Sequence, residues 1–178
     1  MAVSNYIQEV MKAAGGRNRS TAWFRNKIKE LGGLDLQLLG IGRNGHIGFN
    51  EPGTLKSSVT RKVRIEHTTR FDASEEFGGI DNVPKEAISM GTKTILDAKK
   101  IILVAWGSNK SKIIKRSIEE KENDIVPASL LQSHNNTLVV LDKDSAGSLE
   151  RFICPWLYTD INKPPITCLL YTSPSPRD

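Results

Sequence analysis

His46 stands two residues after Asn44 and five before Glu51, in the run Gly40-Ile-Gly-Arg-Asn-Gly-His-Ile-Gly-Phe-Asn-Glu-Pro-Gly53. Histidine changes charge near neutral pH and can move a proton either way, and a carboxylate against its second ring nitrogen sets tautomer and orientation. Gly48, Pro52 and Gly53 favour turns, so the chain can fold Glu51 back onto His46 while Asn44 adds a hydrogen bond from the other side. The chemistry this trio can perform is acid–base catalysis on a small bound substrate. Taken by itself, a loop histidine more often only hydrogen-bonds backbone, so the neighbours of His46 carry the argument.

A second candidate is Lys110. Gly107-Ser-Asn-Lys110 leaves an apolar run and enters a helical pattern. Free backbone N–H groups and a cation therefore meet where a phosphate could dock. The plainer alternative is a solvated lysine at a helix start.

Gly40, Gly42 and Gly45 also match the dinucleotide fingerprint Gly-x-Gly-x-x-Gly. That fingerprint needs a helix opening at its third glycine and an acid about 20 residues further on. Here Gly48, Pro52 and Gly53 interrupt any such helix, and Glu66 lies at the end of a different predicted strand. A dinucleotide site is set aside.

The elements that position these residues follow from periodicity. Trp23–Leu31 reads as the end of a helix stopped by Gly32-Gly33, and Leu34–Leu39 as a strand running into the glycine-rich loop. Val59–Glu66 alternates as a half-exposed strand, and Thr94–Lys100 reads as a short helix. Ile101–Trp106 is a continuous apolar run, as for a parallel strand buried on both faces. A helix from about Asn109 to Glu120 follows, with Ile113, Ile114 and Ile118 on one stripe. Leu138–Leu141 is a further buried strand and Ser145–Arg151 a further short helix. The alternation predicts an α/β fold, with residues 34–142 in a parallel sheet covered by helices and His46 at a strand's carboxyl end.

The 178 residues suit one ordinary domain, and 38% hydrophobic with 25% charged residues describes a globular chain. The formal charge of +5 is spread rather than clustered and only 6% of residues are aromatic, which argues against nucleic acid as a partner. Cys154 and Cys168 form neither a metal-ligand spacing nor a disulfide framework, so no metal site is expected and a reducing, cytoplasmic compartment is. Neither a signal core nor a membrane span is apparent. Residues 1–23 carry no usable motif, residues 24–157 form the domain, and residues 158–178, rich in Pro and Ser, read as an irregular tail of scar-like character outside the fold.

The run Leu36–Gly53 closely resembles the active-site segment of glucosamine-6-phosphate deaminases. The resemblance continues through Asn82–Gly91, Thr94–Ala98, the strand to Trp106 and Pro127–His134, covering roughly residues 24–145. Leu149–Leu157 resembles the continuation found in longer bacterial members with a second, deacetylase-like domain.

This resemblance implies a Rossmann-like parallel sheet flanked by helices, with the N-terminal part of the fold missing. It also implies conversion of glucosamine 6-phosphate and water to fructose 6-phosphate and ammonia without a cofactor, on a phosphorylated amino sugar as partner, with a homo-oligomer as one arrangement open to the full-length parent. His46 would assist ring opening, supported by Glu51 and Asn44; Lys110 would bind phosphate, and Gly42 and Gly45 would line the substrate. The family's other phosphate-binding arginine falls within Asp72-Ala-Ser-Glu-Glu-Phe77, which contains none, so Arg70 or Arg61 is expected to replace it. The family's Thr/Gly-rich phosphate loop and proton-moving aspartate do not appear before Leu34, so the chain alone is expected to be inactive. Alternatives are a 6-phosphogluconolactonase-like hydrolase, whose glycine-histidine turn typically lacks Phe-Asn-Glu-Pro, and a non-catalytic sugar-phosphate sensor.

Overall fold

A computed structural model of the chain describes residues 21–153 and 167–170. Helix α1 (Thr21–Glu30) ends where Gly32 and Gly33 take φ of 84° and 99°, a left-handed turn in which Gly33 N–H closes on Ile28 O at 2.9 Å. Glycine adopts this conformation without a Cβ penalty, which is why the helix stops there. Strand β1 (Leu36–Gly40) follows and leads into the glycine-rich loop.

Next come β2 (Arg61–Arg64), the six-residue helix α2 (His67–Asp72), β3 (Glu86–Ser89) and α3 (Thr92–Leu96). Strand β4 (Lys100–Ala105), helix α4 (Ser111–Ile118) and β5 (Thr137–Leu141) continue the alternation. Two single-turn helices, α5 (Lys143–Ala146) and α6 (Glu150–Ile153), precede β6 (Thr167–Leu170). Strands β1, β4, β5 and β6 form one parallel sheet in the order β1-β4-β5-β6, with Leu39 opposite Leu103 and Leu103 opposite Val139. The α/β class expected from the pattern is therefore present.

Five details differ from the sequence reading, the first being that the helix expected over Thr94–Lys100 is Thr92–Leu96, with Lys100 opening β4. Strands β2 and β3 do not join the parallel sheet but pair antiparallel with each other, Arg61 opposite Ser89 and Arg64 opposite Glu86. Glu86-Ala-Ile-Ser89 buries only Ser89, so it carries no apolar alternation to mark it as a strand. Strand β4 is not buried on both faces: Ile101, Leu103 and Ala105 are buried, while Ile102 and Val104 are half-buried. The helix expected over 145–151 splits in two. Asp142 caps the first piece by accepting from Ser145 N–H at 2.8 Å, and the fully buried Leu149 separates it from the second. Finally, Thr167–Leu170, assigned by composition to an irregular tail, extends the sheet alongside β5, with Leu138 opposite Thr167; the rest of 158–178 lies outside the described residues, as do residues 1–20.

The core lies between the sheet and α4, where Ile113, Ile114 and Ile118 meet Leu103, Val126, Leu131 and Val139. Ile114 is 0% exposed, so Ile114→Ala leaves a cavity as well as removing apolar contact. The expected cost is about 2–5 kcal/mol, read from urea unfolding of the two proteins. A loss well below that range would show that α4 is not packed as described.

Candidate active site

The glycine-rich loop begins at the carboxyl end of β1 and is pinned to the core at both sides. Ile41 and Ile47 are buried, 7% and 1% exposed, and Gly42 N–H closes on His46 O at 2.9 Å. Gly45 takes φ of 88°, and a Cβ there would lie 2.8 Å from Val126 and 3.1 Å from Ile113. Its glycine is required by backbone conformation and close packing. Ala128 N–H then donates to Gly45 O at 2.9 Å.

Asn50, wholly buried, holds the far side of the loop. Its Nδ2 donates to Ile47 O at 2.9 Å and Met90 O at 2.8 Å, and its Oδ1 accepts from Arg61 Nη1 at 2.9 Å. Burying an amide demands such pairing. Arg61 also reaches Thr54 Oγ1 at 3.3 Å, so this arginine clamps the loop. The chain after Gly45 continues in turns rather than opening a helix.

His46, Asn44 and Glu51 converge. His46 Nδ1 lies 2.8 Å from Asn44 Oδ1 and 3.4 Å from Glu51 Oε2. Asn44 Nδ2 donates to Glu51 Oε2 at 2.8 Å, which fixes the way round of the amide: its oxygen must face the imidazole. That oxygen can only accept, so Nδ1 carries the ring proton and Nε2 is the nitrogen available to a substrate. The imidazole lies against Gly42, where a Cβ would fall 2.1 Å from Cε1. The sequence reading did not include Thr69 of α2, whose hydroxyl donates to Glu51 Oε1 at 2.7 Å. Nothing local in the sequence marks Thr69, which is 18 residues from Glu51.

Burial of Glu51 would raise its pKa, but hydrogen bonds from His46, Thr69 and Asn44 and the charge of His46 outweigh this and pull it from 4.5 to about 2. A carboxylate depressed on folding stabilises the fold above its unfolded pKa of about 4.5, and loses that contribution as pH falls towards about 2. Wild-type protein is therefore expected to lose more stability between pH 6 and pH 3 than Glu51→Gln does, by urea denaturation at each pH. Equal losses would mean that Glu51 is not ionised in this network.

Lys110 follows Gly107, which takes φ of 85°, and its Nζ donates to Ile41 O at 2.9 Å. It thus reaches back to the same loop. Burial pushes its pKa down, with Asp72 raising it and Arg43 lowering it. Arg43 and Asp72 form a two-pronged ion pair, Nε to Oδ2 at 3.0 Å, that ties the glycine-rich loop to the end of α2. Arg70 is placed differently from these residues. Its Nη2 donates to Ile80 O at 2.8 Å, and its buried Nε has no partner. Among the described residues no group of His, Cys, Asp and Glu could hold a metal ion, and no helix is long and apolar enough to cross a membrane.

The model of the glucosamine-6-phosphate isomerase/6-phosphogluconolactonase family matches residues 2–140, a wider span than the 24–145 legible from motifs. The chain is 48% identical over 126 residues to a glucosamine-6-phosphate deaminase of Clostridium novyi, covering 71% of this chain and 52% of that protein. It is 46% identical over 136 residues to a glucosamine-6-phosphate deaminase-like protein of Bacteroides thetaiotaomicron, covering 76% of this chain and 20% of that one. It thus spans about half, or less, of the length of these curated relatives.

Among solved structures, a monomeric glucosamine-6-phosphate deaminase superposes with a TM-score of 0.71 at 40% identity, over 75% of this chain and 57% of that one. A 6-phosphogluconolactonase from Trypanosoma cruzi superposes at 0.56 with 20% identity, over 72% of this chain and 50% of that one, a likeness of fold. The match over most of the chain joins the parallel sheet and its histidine loop to one ancestry: the chain belongs to the glucosamine-6-phosphate isomerase/6-phosphogluconolactonase family.

Proposed function

We propose that the chain carries the ring-opening centre of a glucosamine-6-phosphate deaminase, and that the protein converts glucosamine 6-phosphate and water to fructose 6-phosphate and ammonia. The observation that supports this most is the imidazole held through Nδ1 by Asn44 and faced by Glu51 at 3.4 Å, with Nε2 left to substrate. Opening a cyclic hemiacetal needs a proton delivered to the ring oxygen as the C1–O bond breaks, and the C1 hydroxyl proton removed. One group that takes a proton and returns it suits both transfers.

His46 is the proton carrier in this reading. Glu51 stabilises the imidazolium that forms transiently, and Asn44 keeps the ring from turning over. The later steps move a proton from C2 to C1 and replace the amine by water, again without redox change. Lys110 contributes a cation for the phosphate, and Gly42 leaves room for the imidazole. Arg70 is the proposed second phosphate contact, on swinging away from Ile80 O. A charged sugar phosphate does not cross a bilayer unaided, so the site of action is cytoplasmic.

The test is ammonia release from glucosamine 6-phosphate, by the 178-residue chain and by its fusion to the amino-terminal half of a related deaminase. Acid production from 6-phosphogluconolactone is measured beside it. Ammonia from either protein, with no acid, supports the deaminase. Acid without ammonia supports the lactonase reading, and calorimetric binding of glucosamine 6-phosphate with neither product supports a sensor.

A further inference from the structure

Thr69 lies on α2, 23 residues beyond His46, yet its hydroxyl meets both members of the proton-moving pair. Oγ1 donates to Glu51 Oε1 at 2.7 Å and stands 3.3 Å from His46 Nδ1. A hydroxyl has one proton and two lone pairs. With its proton given to Glu51, it can face the imidazole only as an acceptor.

The carboxylate of Glu51 is thereby held at both oxygens from different elements. Oε1 takes Thr69 from α2, and Oε2 takes Asn44 Nδ2 at 2.8 Å from the glycine-rich loop. A carboxylate bonded at one oxygen can still turn about its last side-chain torsion, which is broad; bonding at both removes that freedom. Helix α2 is itself fixed at both ends. Glu66 caps its start by accepting from Thr68 N–H at 2.8 Å, and Asp72 at its end holds Arg43.

We infer that Thr69 is a positioning residue of the active site: its hydroxyl sets the rotation of Glu51 and completes a ring of three acceptors, with Asn44 Oδ1 and Glu51 Oε2, around the Nδ1–H of His46. Its catalytic consequence rests on the deaminase reading; its geometry does not. Around Nδ1, every neighbour accepts and none donates, so the proton stays on Nδ1. The groups facing Glu51 are the imidazole of His46 and the neutral Asn44 and Thr69.

The experiment is an NMR titration of the 178-residue chain carrying ¹³C-labelled glutamate carboxyls, with Glu51 assigned through Glu51→Gln. It needs no turnover. Thr69→Val and Thr69→Ala each remove the hydroxyl and are expected to raise the Glu51 midpoint by about one unit, the effect of losing one hydrogen bond to a charged group. Thr69→Ser keeps the hydroxyl and is expected to leave the midpoint within a few tenths of a unit of wild type. An unmoved midpoint in Val and Ala, or an equal rise in Ser, overturns the inference. Ammonia release is scored separately, in the fusion to the amino-terminal half of a related deaminase, so midpoint shifts in the chain with no ammonia from that fusion overturn the deaminase reading and support the positioning role.

Discussion

His46→Gln is expected to slow turnover of ring-closed glucosamine 6-phosphate by about 10²–10⁴-fold, the usual contribution of one proton-transfer group, while KM changes by less than about tenfold. Glutamine keeps an N–H that can still meet Asn44 Oδ1, now 2.8 Å from the imidazole, so the loop need not rearrange. What it lacks is any basicity near neutral pH. A fall in kcat with nearly unchanged KM therefore isolates proton transfer from binding. The measurement is ammonia release by the chain and by its fusion to the amino-terminal half of a related deaminase, with His46→Gln compared against wild type in whichever is active. An unchanged rate would show that His46 is a structural residue and that ring opening is handled elsewhere or by solvent.

Gly42→Ala is expected to cost at least about 10²-fold in the same assay, without touching a group that reacts. A Cβ at Gly42 would lie 2.1 Å from His46 Cε1, 2.2 Å from Nδ1 and 2.6 Å from Nε2, distances at which the imidazole must leave its place. The backbone has no such need to move, because Gly42 N–H holds His46 O and Ile41 and Ile47 remain buried. The ring swings off Asn44 and Glu51, and proton transfer fails for want of position, since displacement by about an ångström is enough to cost two orders of magnitude. The side chain that yields is partly exposed, at 18%, so folding stability should fall by no more than about 1 kcal/mol. Loss of activity in a protein that unfolds at nearly the wild-type denaturant concentration is the expected signature. Full activity would mean that the imidazole is free to work from another position. Gly45→Ala should behave in the opposite way, because Val126 and Ile113 lie against that position and φ is 88°. Its first effect is on stability.

The same contrast separates the features that a short stretch of sequence decides from those that it does not. Apolar runs such as Ile101–Ala105 and Leu138–Leu141 declare strands locally, since each residue's burial preference acts within its own segment. Gly32-Gly33 end a helix through backbone conformation alone. Asn44, His46 and Glu51 lie within one turn-rich stretch of eight residues, so their meeting required only that the loop fold back, and its glycines permit that. The family resemblance of that stretch supplied the chemistry.

Five other features were beyond local reading. Thr69 reaches Glu51 across 18 residues and Arg43 reaches Asp72 across 29, through side chains that would suit many exposed positions equally well. Pairing of β2 with β3 buries little apolar area and so leaves no alternating pattern. Thr167–Leu170 is a strand because β5 offers it an unpaired edge, not because its neighbours Pro164 and Pro165 favour one. Arg70, one of the two arginines expected at the phosphate, donates to Ile80 O, a partner ten residues away that no periodicity marks. Segment-level preference is written in backbone propensity and burial, which act over a few residues. Which polar side chain meets which depends on how whole elements pack, and that is settled only when the sheet and its covering helices are assembled.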